Sequence, residues 1–427
     1  MKHWISTCAG ILGLSLLLTA CTIPSASTPS SPTATTPAVT TSANGKEPPM
    51  TDQSPIVQTI TAANGTKLIV DLQSTIFQSP ANTWGNGTNY PTVIQLQHQG
   101  SRQGVLLTTF EVADSGLAGR PTRFRIIEST DDGKTWKMIS EVTETLDLSL
   151  EACWNPQLYE LPAPLGDLPA GTLLLAGVSI DPAQKVKSQI SLWISTDSGR
   201  HWTQKSIVAQ GKGVEEGGVW EPFLLWEEER LYCFYSDETI NGHDQAIVYR
   251  TTEDGAGWSD PVPVVAAENP LWRPGMVGIT RMGNGEYFMV YEVFGDWEGC
   301  PIYYKTTRSL TDWNASEIGT RLTATDGYSI GSAPCCLWTP AGGACGTLLV
   351  TAAYGSASPN KLLVSFDYGK TFEALDNPLP YTDGRGGYSA SLFLSADGKT
   401  VYYANNVDSV RDKSRIALAR IRIESPI

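Results

Sequence analysis

One eight-residue signature returns along this chain at near-constant spacing, and a repeat of that length restricts a chain to stacked or radially arranged copies of one unit. STDDGKTW (Ser129 to Trp136) recurs as STDSGRHW (Ser195 to Trp202), as the looser TTEDGAGW (Thr251 to Trp258) and as SFDYGKTF (Ser365 to Phe372). TTRSLTDW (Thr306 to Trp313) keeps only the first and last positions, and successive starts lie 66, 56, 55 and 59 residues apart. The pattern is that of a hairpin turn: the Asp accepts backbone N–H groups, the Gly takes positive φ, and the aromatic packs beneath. Asp131, Asp197 and Asp367 therefore read as turn builders rather than catalytic carboxylates. SADGK at Ser395 lacks the aromatic and joins two strands within one unit.

Writing the units under one another gives six, each of four strands. First strands begin YPTVIQL (Tyr90), WNPQLYEL (Trp154), WEPFLLW (Trp220), WRPGMVGI (Trp272), YSIGSAPCCLW (Tyr328) and YSASLFL (Tyr388). The 40 Gly, 27 Pro, 13 Trp and 16 Tyr suit short strands joined by tight turns. Residues 56–427 supply 62 per unit, which predicts an all-β fold: a six-bladed β-propeller of four-stranded antiparallel blades. The last unit has only three strands, so TKLIVDLQSTIF (Thr66 to Phe77) is predicted to supply its outer strand and close the ring without a free edge.

Ahead of the propeller, Cys8 to Ala20 is an uncharged run behind Lys2, too short to span a bilayer and suited to a signal-peptide core. Leu18-Thr19-Ala20-Cys21 resembles a bacterial lipobox, which implies cleavage after residue 20 and lipidation of Cys21. Of the 28 residues from Thr22 to Pro49, 18 are Ser, Thr or Pro, so residues 21–55 read as a lipidated stalk. The expected location is the bacterial cell envelope, with the lipid as the one membrane contact. A net charge of −14 excludes a basic nucleic-acid binder. Four His and no Cys-His spacing give no metal site, and no cofactor is implied. Cys153, Cys233, Cys300, Cys335, Cys336 and Cys345 allow 15 pairings if oxidised. A monomer is expected.

Blade topology places the start of each first strand and the end of each second strand at one mouth, with the box turns on the opposite face. Asn155, Glu221 and Arg273 follow a Trp at first-strand starts. Glu111, Asp237, Glu292 and Tyr354 fall at second-strand ends, and Tyr388 starts the sixth first strand. Glu221 in WEPF and Glu292 in FMVYEVF interrupt apolar runs on adjacent blades, where an unpaired carboxylate costs several kcal/mol or takes up a proton. Two carboxylates at one Trp-lined mouth suit glycoside hydrolysis, one as acid and the other as nucleophile or base. The same residues also fit a structural pairing of either Glu with Arg273. Trp154, Trp220 and Trp272 fit sugar stacking or blade packing.

The repeated turns match the Asp-box. Together with VWEPFLLW (Val219 to Trp226), WRPGMVGITRMGNGEYFMVYE (Trp272 to Glu292) and RGGYSAS (Arg385 to Ser391), they make the chain resemble the sialidase-like Asp-box (BNR repeat) propellers, and within them glycoside hydrolase family 93, the exo-α-1,5-L-arabinanases. The resemblance covers roughly residues 80–427. It implies release of arabinobiose from the non-reducing end of linear arabinan with retention, through two glutamates carried onto Glu221 and Glu292, with a site tyrosine at Tyr388. The apolar strand around Glu292 favours it as acid/base and Glu221 as nucleophile. Asn155, Trp154, Trp220, Arg273, Trp272, Tyr354 and Asp237 are the expected substrate-binding residues. A sialidase should open its first blade with an Arg-Ile-Pro signature, where this chain has Tyr90-Pro91-Thr92. A non-catalytic glycan-binding lipoprotein would use the same mouth.

Overall fold

The computed structural model describes residues 58–79, 88–112, 122–181, 186–212, 217–295, 299–356, 360–379, 387–408 and 414–426. The signal segment, Cys21 and the stalk lie outside the described residues.

Six antiparallel sheets follow one another around an axis. Blade one comprises Thr88–Gln95, Leu106–Val112, Phe124–Ser129 and Lys137–Val142. Blade two comprises Glu151–Glu160, Leu173–Ile180, Ser188–Ser195 and Thr203–Gly211, and blade three Val219–Glu227, Arg230–Asp237, Ala246–Thr252 and Val262–Val265. Blade four comprises Arg273–Arg281, Tyr287–Phe294, Ile302–Thr307 and Thr320–Arg321, and blade five Cys335–Thr339, Thr347–Thr351, Lys361–Ser365 and Glu373–Asp376. Blade six comprises Ser391–Leu394, Thr400–Asp408 and Arg415–Glu424. Its outer strand is the N-terminal Lys67–Gln78, paired antiparallel to Arg415–Glu424 as expected, and Gln58–Thr61 adds a fifth strand that the repeat did not foretell.

Side chains alternate along each strand, so every blade has two faces to bury, and each is buried against a neighbour. Six apolar clusters result, one per blade interface. Between blades one and two, Leu107, Phe124, Leu158, Leu175 and Trp193 interlock, with the Phe124 and Trp193 rings edge to face at 5.9 Å. Blades six and one meet through Ile76, Phe110, Tyr402 and Leu418, which seals the ring.

The Asp-boxes connect third to fourth strands and work as turns. Asp131 Oδ1 accepts the Thr135 N–H at 2.9 Å and the Ser129 hydroxyl at 2.8 Å, Gly133 has φ 87°, and the Trp136 indole donates to the Gly133 carbonyl at 3.1 Å. Asp367 repeats these bonds in blade five. In blade three the turn is a residue shorter than the sequence alignment implied: Thr252 takes the Ser role and Asp254 accepts from Thr252, Ala256 and Gly257.

Blade five departs from expectation at its entry. Ser332 and Ala333 both have positive φ (60° and 49°), which breaks the predicted continuous strand. Ile330–Gly331 pairs separately with Tyr354–Gly355. Cys233, Cys335, Cys336 and Cys345 are free thiols; the side chain of Cys153 is outside the described residues.

Candidate active site

At the entry to each inner strand a non-glycine residue is left-handed: Tyr90 (φ 50°), Asn155 (51°), Glu221 (52°), Met276 (56°), Ala333 (49°, with Ser332 before it) and Ser389 (57°). Such a conformation costs on the order of 1–3 kcal/mol per residue and persists only where its surroundings enforce it. In blades one to four a register irregularity brackets the residue, between Asn89 and Thr92, Trp154 and Gln157, Trp220 and Phe223, and Gly275 and Gly278. The chain thus bulges at the same place in blade after blade. A bulge re-aims its side chain, here into the mouth around the axis. In four blades a proline follows, as in Tyr90-Pro91, Asn155-Pro156, Glu221-Pro222 and Ala333-Pro334, where no ladder N–H is needed.

The second strand answers each bulge from the next position out. Glu111 pairs in register with Asn89, Ser236 with Trp220 and Glu292 with Gly275, so these three are equivalent positions in blades one, three and four. Each accepts the bulge amide of the following blade. Asn155 N–H donates to Glu111 Oε1 at 2.6 Å, Met276 N–H to Ser236 Oγ at 3.3 Å, and Ala333 N–H to Glu292 Oε2 at 2.8 Å. Glu292 Oε2 also accepts the Ser332 hydroxyl at 2.9 Å. Blade two has Val178 at this place, and there the Glu221 N–H donates to Asn155 Oδ1 at 3.4 Å instead.

Three carboxyls therefore share one mouth. Burial pushes Glu221 up to about 8; the Ser236 hydroxyl facing it lowers it, and the charge of Glu292 raises it. Burial likewise pushes Glu111 up to about 8, against the Asn155 N–H and with the charge of Glu221. Glu292 is raised by burial, partly offset by the Ala333 N–H, the Ser332 hydroxyl and Arg273. Burial thus raises Glu292 as its apolar strand implies, and it raises Glu221 and Glu111 as well, so the whole pocket is a poor host for charge. Tyr388 and Tyr90 stand beside these carboxyls. Their rings meet edge to face at 5.5 Å, and both hydroxyls reach Met276 Sδ at 3.8 Å. Burial keeps both phenols protonated well above their usual range.

Two of the sequence-predicted residues are corrected by register. Asp237 pairs with Val219, one position beyond Ser236, and a one-residue step reverses the face of the sheet. It is 2% exposed, with Oδ1 accepting the Thr239 N–H (2.8 Å) and hydroxyl (2.6 Å), and does not face substrate. Arg273 was aligned with Asn155 and Glu221, yet their counterpart in blade four is Met276, three residues later. Arg273 pairs with Glu238 and Gln245, and carries its charge towards Glu221 and Glu292 without a direct bond to either. The structural pairing of either Glu to Arg273 is therefore not what the geometry shows.

Trp154 and Trp220 lie 6.0 Å apart, half-buried at the blade two to three interface; Trp272 is half-buried between blades three and four. Tyr354, 44% exposed, accepts the Cys300 N–H at 3.1 Å at the rim of blade five. Sequence reasoning gave no role to Tyr90, Ser236, Met276, Ser332 or Ala333. The recurring residue-proline step at strand entries was the signal that could have located the bulges.

No family model matches the chain. Among solved structures, the α-L-arabinanase of Penicillium chrysogenum complexed with arabinobiose is 29% identical, covering 86% of this chain and 99% of that one, with a TM-score of 0.74. The family 93 α-L-arabinofuranosidase of Fusarium graminearum with arabinobiose is 27% identical over 82% and 98% of the two chains, TM-score 0.73. A Hadza microbial sialidase at 13% identity and TM-score 0.55 shares the fold. Mouse sialidase-2 is 28% identical over 167 residues, a match spanning 36% of this chain and 43% of that protein.

Proposed function

We propose, for a chain that belongs with the family 93 glycoside hydrolases among the sialidase-like propellers, an exo-acting arabinanase that releases arabinobiose from the non-reducing end of linear α-1,5-L-arabinan. The observation that carries this reading is the convergence of Glu221 and Glu292, from adjacent blades, on one mouth beside the Tyr90, Tyr388 and Met276 contact.

In the proposed reaction the Glu221 carboxylate attacks the anomeric carbon as the glycosidic C–O bond breaks, and Glu292 gives its proton to the departing oxygen. Water then attacks the same carbon, returns a proton to Glu292 and releases Glu221, so the configuration is retained. Burial dominates at Glu221 and raises it to about 8, Ser236 and Arg273 offsetting only part of that, so the attacking carboxylate is present in full only as pH rises past that value. Ser332 and Ala333 fix Oε2 of Glu292, leaving Oε1 to carry the proton. Asn155, Tyr388, Tyr354, Trp154, Trp220 and Trp272 are proposed as sugar contacts around this pair. A sialidase needs a guanidinium clamp for its substrate's carboxylate; at the corresponding entry to blade one stands Tyr90, with its hydroxyl on Met276.

Product analysis on linear arabinan tests the reading. Arabinobiose as the sole early product supports it, and a ladder of internal fragments or no release defeats it. Attack by Glu221 is checked by alanine variants with azide: Glu221→Ala should yield the inverted glycosyl azide and Glu292→Ala the retained one. We further propose envelope anchoring through Cys21. Cys21→Ala should move the protein from the membrane to the soluble fraction, and unchanged partitioning would contradict the anchor.

A further inference from the structure

Glu111 is the blade-one counterpart of Glu292. Both sit at the same register position, and both accept the bulge amide of the next blade. The bond from Asn155 to Glu111 is the first link of a chain around the mouth. Glu111 Oε1 takes the Asn155 N–H at 2.6 Å and its Nδ2 at 3.4 Å, and Asn155 Oδ1 takes the Glu221 N–H at 3.4 Å. Blade two cannot hold the Glu221 bulge from its own second strand, because Val178 stands where blades one, three and four have an acceptor. Asn155, 8% exposed and itself left-handed, does so instead, and Glu111 is what orients Asn155.

We propose that Glu111 is a positioning residue of the reaction, holding through Asn155 the strained bulge from which Glu221 reaches the sugar. This rests on the reading that Glu221 acts on substrate. A misplacement of about 1 Å at a reacting group costs roughly 100-fold in rate, so the bond needs little slack to matter. The role also has an electrostatic side. The titratable groups facing Glu111 are Tyr90 on its own blade, Tyr388 from blade six and Glu221 from blade three; Glu292, Glu238 and Arg273 act on Glu221 from beyond. Two carboxyls so placed compete for one negative charge. The charge of Glu221 raises Glu111, so Glu111 is the one that keeps its proton when Glu221 ionises.

Two variants test this. Glu111→Gln keeps an acceptor oxygen for Asn155 and removes the charge; Glu111→Ala removes both. The expected result is kcat within tenfold of wild type for Glu111→Gln, because the acceptor for Asn155 is retained. Glu111→Ala should lose about 100-fold in kcat with KM changed less than threefold and a cooperative melt retained. Wild-type kcat in Glu111→Ala, or equal losses in both variants, would overturn the proposal. Should Glu111→Ala fail to fold, NMR titration of the Asn155 backbone amide decides: a shift that follows Glu111 ionisation in wild type and vanishes in Glu111→Gln supports the role, a flat wild-type shift refutes it. That titration needs no substrate, so it separates failure of this inference from failure of the arabinan assignment.

Discussion

At the residue scale the site is a contest between burial and charge. Glu221→Gln and Glu292→Gln are each expected to cut kcat on arabinan by about 10³-fold or more while leaving the melting cooperative. Stability should move the other way. The folded-state value of Glu221 is raised to about 8 from an ordinary 4.5, so its carboxyl is tolerated below pH 4.5 and costs stability progressively as pH rises to about 8. Glu221→Gln should therefore melt at or above the wild-type temperature at pH 8.5, with the advantage shrinking towards pH 5; calorimetry across that range checks it. Glu221 and Glu292 stand out in the sequence because a carboxyl in an apolar, aromatic run is costly unless it has work to do, and Tyr388 stands out through the resemblance of RGGYSAS. Sequence reasoning misplaced Asp237 and Arg273 because register decides which face a residue takes, and in blade four the residue-proline step falls at Arg273-Pro274, three residues before the bulge at Met276.

At the element scale the informative unit is the bulged strand entry. Trp220 precedes Glu221 and lies over Gly218, where an added Cβ would stand 1.9 Å from the indole ring. Gly218→Ala must displace Trp220, and is expected to lower kcat at least tenfold and destabilise by about 2 kcal/mol. Asp131→Ala makes the contrasting case. It removes the acceptor for Ser129 and Thr135 on the far face, so it should cost about 2 kcal/mol in urea denaturation and leave kcat and KM unchanged. Strand order and box turns were legible because turn chemistry is local. The broken entry of blade five was not, since Ser332 and Ala333 carry no glycine to announce their positive φ.

At the scale of the whole molecule, six apolar interfaces and one borrowed strand hold the ring. The Lys67–Gln78 strand contributes Leu68 and Val70 to the blade five to six interface and Ile76 and Phe77 to the blade six to one interface. Deletion through residue 78 is expected to abolish the cooperative melt, whereas deletion through residue 57 should leave it in place; scanning calorimetry separates the two. That closure was readable from the missing fourth strand of the last unit, while the extra Gln58–Thr61 strand had no counterpart in the repeat to reveal it. The ring matters to the chemistry because Glu221 and Glu292, 71 positions apart, meet only if adjacent blades hold their angle. Proton NMR of linear arabinan during the first turnovers, before the products mutarotate, tests that meeting most directly. The account expects the α-anomer of arabinobiose to appear first and Glu221→Gln to produce none; early β-anomer, or undiminished release by the variant, would contradict it.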